Sequence, residues 1–67
     1  MKVKINGTER RFDHPVSLRE LLDTLDIRET RGIAVALNQA VVPKTGLDTT
    51  TVKDGDEIEV IRAVQGG

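Results

Sequence analysis

The sequence contains no cysteine, a single histidine and a single aromatic residue, Phe12. Without cysteine this chain of 67 residues can form neither a disulfide nor a thiolate metal site, and His14 alone cannot build a zinc site. Ten basic and eleven acidic residues give a net charge of −1, which lacks the basic excess typical of a nucleic-acid surface. No apolar run has the length of a membrane span, and the N-terminus lacks the apolar core of a signal peptide. We therefore expect a small cytoplasmic protein, stabilised by aliphatic residues, with no nucleic-acid or membrane partner.

The first part of the chain predicts a β-hairpin followed by one amphipathic helix. KVKI alternates polar and apolar residues, and Asn6-Gly7 is typical of a type I′ turn, which needs positive φ at both central residues. The partner strand is expected at about 8–12. Ser17 followed by Glu20 has the pattern of a capping box at a helix start. One apolar stripe at helical spacing then consists of Leu18, Leu21, Leu22 and Leu25.

The second part predicts three more strands. GIAVALN at 32–38 has no charge, which favours a strand that is central in a sheet or covered on both faces. A turn at Asn38-Gln39 leads to a short edge strand that ends at Pro43, and a loop with one helical turn is expected at 44–51. The DGD segment at 54–56 is interpreted as a tight turn, because a calcium loop of the EF-hand type needs ligands spread over about twelve residues. EIEVIRAV then forms the last strand.

This order of elements predicts the fold. The first and last strands must both lie against the one leucine-faced helix, and a last strand parallel to the first satisfies that requirement. The sequence therefore predicts an α+β fold of the β-grasp type, a mixed sheet of four to five strands wrapped on one main helix. We expect one domain over residues 1–67, with a flexible tail at about 64–67.

The final Gly66-Gly67 follows the last strand directly. A segment without Cβ atoms is thin enough to enter a narrow channel and to bring a carboxylate against an α-phosphate. A free carboxylate is a poor electrophile, but adenylation with ATP makes a mixed anhydride that a sulfur nucleophile can attack, with a thiocarboxylate as the product. No side chains form a plausible catalytic constellation, so the C-terminus is the only unusual chemical group.

The chain resembles the ThiS-type sulfur carriers of thiamin thiazole biosynthesis, which are ubiquitin-like β-grasp proteins. The resemblance covers essentially the whole length and includes MKVKING, SLRELL, AVALNQAVVP at 34–43 and KDGDEIEVIRAVQGG at 53–67. The Gly-Gly ending and the DGD turn are shared by several β-grasp carriers. The short length, LNQAVVPK and IRAVQGG are what indicate the thiamin branch.

The resemblance implies a protein cosubstrate and not an enzyme. A ThiF-type adenylyltransferase would use ATP to adenylate the Gly67 carboxylate. Sulfur supplied as a persulfide, by a cysteine desulfurase or a sulfurtransferase, would convert it to a thiocarboxylate that thiazole synthase consumes. The resemblance implies no permanently bound cofactor and no metal, and we expect a monomer when the protein is free.

The same resemblance assigns roles to the residues near the end of the chain. Gly67 would carry the adenylate and then the sulfur, while Val64, Gln65 and Gly66 would thread into the active sites of the partners. Ile61 and Ala63 fall on the outer face of the last strand, so we expect them to dock the partners, with help from the outer face of the strand that contains Ala34.

Other functions remain open on the sequence alone. The small subunit of molybdopterin synthase would use the same fold and tail with another acceptor enzyme, although such proteins tend to be longer. A carrier for tRNA thiolation, or one that conjugates to lysines, would differ only in its partner. From a different class, a β-grasp binding module with an inert tail would keep its function after loss of Gly66 and Gly67.

Overall fold

The computed structural model describes residues 1–62, which form a mixed five-stranded sheet, a two-stranded ribbon and one α-helix. The sheet has the order β2-β1-β7-β4-β5, and the ribbon pairs β3 with β6. In this sheet β1 and β7 are parallel and the other neighbours are antiparallel. The predicted α+β β-grasp fold is confirmed. The elements are β1 (Lys2–Ile5), β2 (Thr8–Arg11), β3 (Val16–Ser17), α1 (Leu18–Thr24), β4 (Ile33–Leu37), β5 (Ala40–Val42), a 3₁₀ turn (Lys44–Gly46), β6 (Thr51–Val52) and β7 (Glu57–Arg62).

The β1–β2 hairpin turns at Asn6 and Gly7, as predicted. Ile5 pairs with Thr8, and the two residues between them have φ values of 51° and 83°. Positive φ at both positions is the requirement of a type I′ turn, which suits the right-handed twist of the flanking strands. The turn chemistry of Asn-Gly therefore closes this hairpin.

Helix α1 begins with the predicted capping box. The Ser17 hydroxyl accepts a hydrogen bond from the Glu20 N–H at 3.1 Å, and the Ser17 N–H donates to the Glu20 carboxylate at 2.9 Å. Both bonds satisfy donors that a helix start would otherwise leave unpaired. The predicted leucine stripe faces the core, where Leu18, Leu21 and Leu22 are fully buried and Leu25 is partly buried.

The segment at 44–51 contains the helical turn that was predicted for this loop, the 3₁₀ turn at Lys44–Gly46, and it also contacts the start of the helix. Its carbonyl groups cap the helix start, because the Leu18 N–H donates to the Thr50 carbonyl and the Arg19 N–H donates to the Leu47 carbonyl, both at 3.0 Å. Leu47 is thereby buried with 1% exposure, and Val52 is completely buried in the β3–β6 ribbon. Both residues belong to the core, although no periodic pattern surrounds them.

Strand β4 is central, which confirms one of the two alternatives, and residues 1–62 cover only one of its faces. It lies between β7 and β5, with Ile33 and Val35 buried on the core side. Ala34 is exposed on the other side. The expectation of a strand covered on both faces is therefore wrong, because the single helix can cover one face of the sheet only.

The buried position of Leu47 gives the first testable prediction. The change Leu47→Ala should lower the free energy of unfolding by about 2–5 kcal/mol, since it removes a fully packed side chain and leaves a cavity. The matched control Val41→Ala shortens a strand residue that is 75% exposed, and should change stability by no more than about 0.5 kcal/mol. Urea unfolding followed by circular dichroism measures both changes. Equal losses in the two variants would contradict the assignment of Leu47 to the core.

Candidate functional site

The glycine tail follows strand β7 in the sequence. The strand ends at Arg62, where the described residues also end. Most of the predicted site residues lie outside the described residues, and their roles stay predictions. They are Gly67, the attachment position; Val64, Gln65 and Gly66, the threading positions; and Ala63, a docking position. Of the predicted site residues, Ile61 alone falls within the described part of the chain.

Two neighbours hold β7 in the middle of the sheet. On one side it pairs in parallel with β1, in the register Lys4↔Glu57 and Ile5↔Ile58. On the other side it pairs with β4 along five residues, from Leu37↔Ile58 to Ile33↔Arg62. Ile58 is 1% exposed and belongs to the core. The base of the tail is therefore a paired strand with its inward side chains packed.

The two aspartates of the DGD turn, which precedes β7, accept hydrogen bonds from groups in other parts of the chain and from the turn itself. The Asp54 carboxylate accepts a hydrogen bond from the Lys2 N–H at 2.7 Å. The Asp56 carboxylate accepts from the Lys53 N–H at 2.8 Å and from the Asn38 side-chain amide at 3.0 Å. These contacts account for both acidic residues as turn acceptors, in agreement with the interpretation of this segment as a turn.

The outer face of the sheet carries a cluster of small and aliphatic side chains beside the base of the tail. Register places Ala34 opposite Ile61 and Ala36 opposite Val41, all on the face away from the helix. Ile61 is 56% exposed and Val41 is 75% exposed. These four residues are called the apolar outer surface below. Sequence reasoning placed Ile61 on this face correctly and missed Val41, although the two-residue turn at Asn38-Gln39 fixes Val41 opposite Ala36.

The opposite face at the same end of the sheet carries two arginines. Register places Arg10 beside Val3 and Arg62 beside Ile33, on the core side of the sheet. Both arginines line a groove that also contains Leu25. Neither guanidinium forms an ion pair with a carboxylate within residues 1–62. The base of the tail thus lies between an apolar face and a cationic one.

No polar or charged residue is buried within residues 1–62. The same part of the chain contains no group of three or more histidine and acidic side chains that could hold a metal ion. Its α-helix of 7 residues does not meet the combined requirement of length and apolar character for crossing a membrane. The features that distinguish this region are therefore the apolar outer surface, the two arginines and the anchored last strand.

Comparison with known proteins relates this geometry to a family. The family model described as the ThiS family matches residues 3–67. The sulfur carrier protein ThiS of Escherichia coli is 39% identical over 67 residues, which cover the whole of both chains. A thiazole synthase of Paramagnetospirillum magneticum is 37% identical over the same 67 residues, and the chain spans only 20% of the length of that protein.

A solved structure agrees with the fold over its whole length. The crystal structure of the thiamine biosynthesis protein ThiS from Geobacter metallireducens superposes with a TM-score of 0.85 and shares 33% sequence identity. The comparison covers 100% of both chains. The order of strands around one helix is therefore that of an experimentally determined ThiS protein.

The contacts of the DGD turn predict a structural role for Asp56. The change Asp56→Ala should lower the free energy of unfolding by about 1–2 kcal/mol, because two donors lose a charged acceptor. The control Asp13→Ala removes an exposed carboxylate that also lies in a connection and accepts no hydrogen bond of this kind from residues 1–62, and should be nearly neutral. Calcium at millimolar concentration should leave the melting temperature of the unmodified protein unchanged. A calcium-dependent rise that Asp56→Ala abolishes would contradict the turn interpretation.

Proposed function

Because the chain belongs to the ThiS family of sulfur carriers in thiamine biosynthesis, we propose that Gly67 carries the sulfur as a C-terminal thiocarboxylate. The observation that supports this most directly is the match to the sulfur carrier protein ThiS of Escherichia coli, which covers both chains completely and therefore includes the final glycines. The family model likewise extends to residue 67. The chain itself is a cosubstrate and performs no catalysis.

The proposed chemistry begins with activation of the carboxylate. A carboxylate oxygen of Gly67 attacks the α-phosphorus of ATP on a ThiF-type adenylyltransferase, and pyrophosphate leaves. The terminal sulfur of a persulfide, supplied by a cysteine desulfurase or a sulfurtransferase, then attacks the acyl carbon and displaces AMP. A thiol cleaves the resulting acyl disulfide, which forms a new disulfide and releases the thiocarboxylate. ATP is thus bound by the partner and not by this chain.

The proposed acceptor of the sulfur is a thiazole synthase. A segment similar to this entire chain occurs within a protein of that name, which supports a functional connection between the two. Gly66 and Gly67 lack side chains that would obstruct a narrow channel, and Val64 and Gln65 would line it. We place this exchange in the cytoplasm, in keeping with the absence of cysteine from the chain.

The apolar outer surface supports the docking part of the proposal. Exposed aliphatic side chains that are contiguous mark interaction sites more often than isolated ones do. Ala34, Ala36, Val41 and Ile61 are adjacent by register, and Ile61 is one position before the residue at which the tail leaves the described structure. A partner that takes in the tail must approach the end of β7, where this surface lies.

The proposal predicts a specific change in mass. Incubation with ATP, the adenylyltransferase and a sulfur donor should increase the intact mass by the difference between one sulfur and one oxygen, localised to the last peptide. Because the chain has no cysteine, a persulfide on a side chain cannot produce this signal. The variant without Gly66 and Gly67 is the control and should gain nothing. If the full chain gains no mass with demonstrably active enzymes, the proposal fails and the binding module is favoured.

A methyl group at the end of the tail should impair loading without affecting the fold. Gly67→Ala should lower the rate of sulfur loading about tenfold or more, since a side chain misplaces the carboxylate in a narrow channel. The melting temperature should stay unchanged, because the residue follows the last strand. Single-turnover loading kinetics and thermal unfolding measure the two effects. A large loss of stability would contradict the presentation of Gly67 as a free end.

Docking through the apolar outer surface gives a separate prediction. Ile61→Ser should raise the KM of the adenylyltransferase for this carrier about five- to tenfold, since an exposed aliphatic side chain no longer becomes buried on binding. The melting temperature should change little. His14→Ser, in the exposed connection between β2 and β3, is the control and should leave KM unaltered. The same KM in both variants would exclude Ile61 from the docking surface.

A further inference from the structure

The side chain of Asn6 bonds to both backbone groups of one residue in the last strand. The Val60 N–H donates to the Asn6 side-chain carbonyl at 2.8 Å, and the Asn6 side-chain amide donates to the Val60 carbonyl at 3.3 Å. The backbone N–H of Asn6 donates to the Ile58 carbonyl at 2.9 Å. One turn residue thus contacts β7 at two successive positions on the same edge.

This contact takes the place of backbone hydrogen bonds that β1 would have formed with β7 if it continued past Ile5. The parallel register of β1 and β7 ends at Ile5↔Ile58. At Asn6 the backbone takes a φ of 51° and turns away into the hairpin, so its carbonyl no longer lies beside the next N–H of β7. A side-chain amide offers the same donor and acceptor as a peptide group. The Asn6 side chain therefore supplies the partner that a continuing strand would have supplied.

The contact between Asn6 and Val60 lies close to the end of β7 from which the tail follows. Within the described residues, Val60 is the last residue of β7 with a partner on the β1 side, because Ile61 and Arg62 pair with β4 alone. A strand end that is held on one edge opens more readily than one held on both. Up to Val60, β7 is thus hydrogen-bonded on both edges, and after Val60 it is paired with β4 alone.

We propose that Asn6 is a positioning residue for the C-terminal tail, acting through its two hydrogen bonds to Val60. This inference rests on the proposed function of the tail. An anchored end of β7 limits the directions in which the chain after Arg62 can extend, and so lowers the ordering cost of entering a partner's channel. Loss of the anchor raises that cost at the binding step and leaves the chemical step as it was, because the partner holds a tail that has entered.

Asn38 provides a matched comparison within the same chain. It also occupies a hairpin turn, with a φ of 50°. Its side chain also bonds the backbone of β7, since the Glu57 N–H donates to its carbonyl at 2.9 Å. The contact differs in place, because Glu57 begins β7 and Val60 lies near its end. Asn6→Gly and Asn38→Gly therefore remove the same chemical group from the same backbone conformation at opposite ends of one strand, and glycine tolerates the positive φ.

The test measures adenylation of each variant by a ThiF-type adenylyltransferase, as pyrophosphate release at varied carrier concentration. We expect Asn6→Gly to raise KM about fivefold with kcat unchanged, since two exposed hydrogen bonds are lost before binding. Asn38→Gly should lower the melting temperature to a similar extent and leave KM unchanged. Asn6→Asp, which keeps the acceptor for the Val60 N–H and loses the donor, should give an intermediate KM. An unchanged KM in Asn6→Gly, or an equal rise in Asn38→Gly, overturns the proposal.

Amide hydrogen exchange separates this inference from the proposed function. In Asn6→Gly the amide of Ile61, which points toward β4, should exchange about fivefold faster than in the unmodified protein, and in Asn38→Gly it should not. If the unmodified protein is never adenylated, the sulfur-carrier function fails while the exchange result still reports on the anchor. If exchange at Ile61 is the same in both variants, Asn6 does not position the base of the tail, whatever the kinetics show.

Discussion

The parallel pairing of β1 with β7 is the contact on which the rest of the structure depends. It joins Lys4 to Glu57 and Ile5 to Ile58, from opposite ends of the described chain. Parallel neighbours cannot be joined by a tight turn, so the chain between them must cross over the sheet, and here it contributes the helix that covers the core face. Without this pairing the sheet would divide into the β1–β2 hairpin and a separate unit of β7, β4 and β5. Isolated two-stranded hairpins are marginally stable in water.

Local patterns predicted the elements well, because their chemistry acts over a few residues. The Ser17–Glu20 capping box and the Asn6-Gly7 turn are both confirmed by hydrogen bonds and backbone angles. Leu47 was missed, because its burial depends on a loop that packs against the helix start, and no periodic pattern signals such a contact. For the same reason the sequence predicted Asn38 only as a turn residue, although its side chain binds a strand that lies far along the chain.

The candidate site also combines features that local sequence patterns predict with features that depend on contacts between distant parts of the chain. Alternation along β7 correctly predicted that Ile61 lies on the outer face, because side chains of a strand alternate between its faces. The place of Val41 on this surface depends on the register between β4 and β5, which the two-residue turn at Asn38-Gln39 sets. The contact between Asn6 and Val60 joins residues from the two ends of the described chain, so local sequence patterns could not predict it. The roles of residues 63–67 stay predictions.

The place of β7 in the sheet has a consequence for how the protein is made. Translation proceeds from the N-terminus, so β7, the last strand within residues 1–62, is synthesised after every strand that it joins. Until Glu57–Arg62 has left the ribosome, β1 and β4 each lack a neighbour, and a nascent chain cannot complete the sheet early. A chain cut short before this segment lacks both the central strand and everything that follows it. Only chains that have been synthesised at least through β7 can therefore form the complete sheet, and β7 is the strand that precedes the glycine tail.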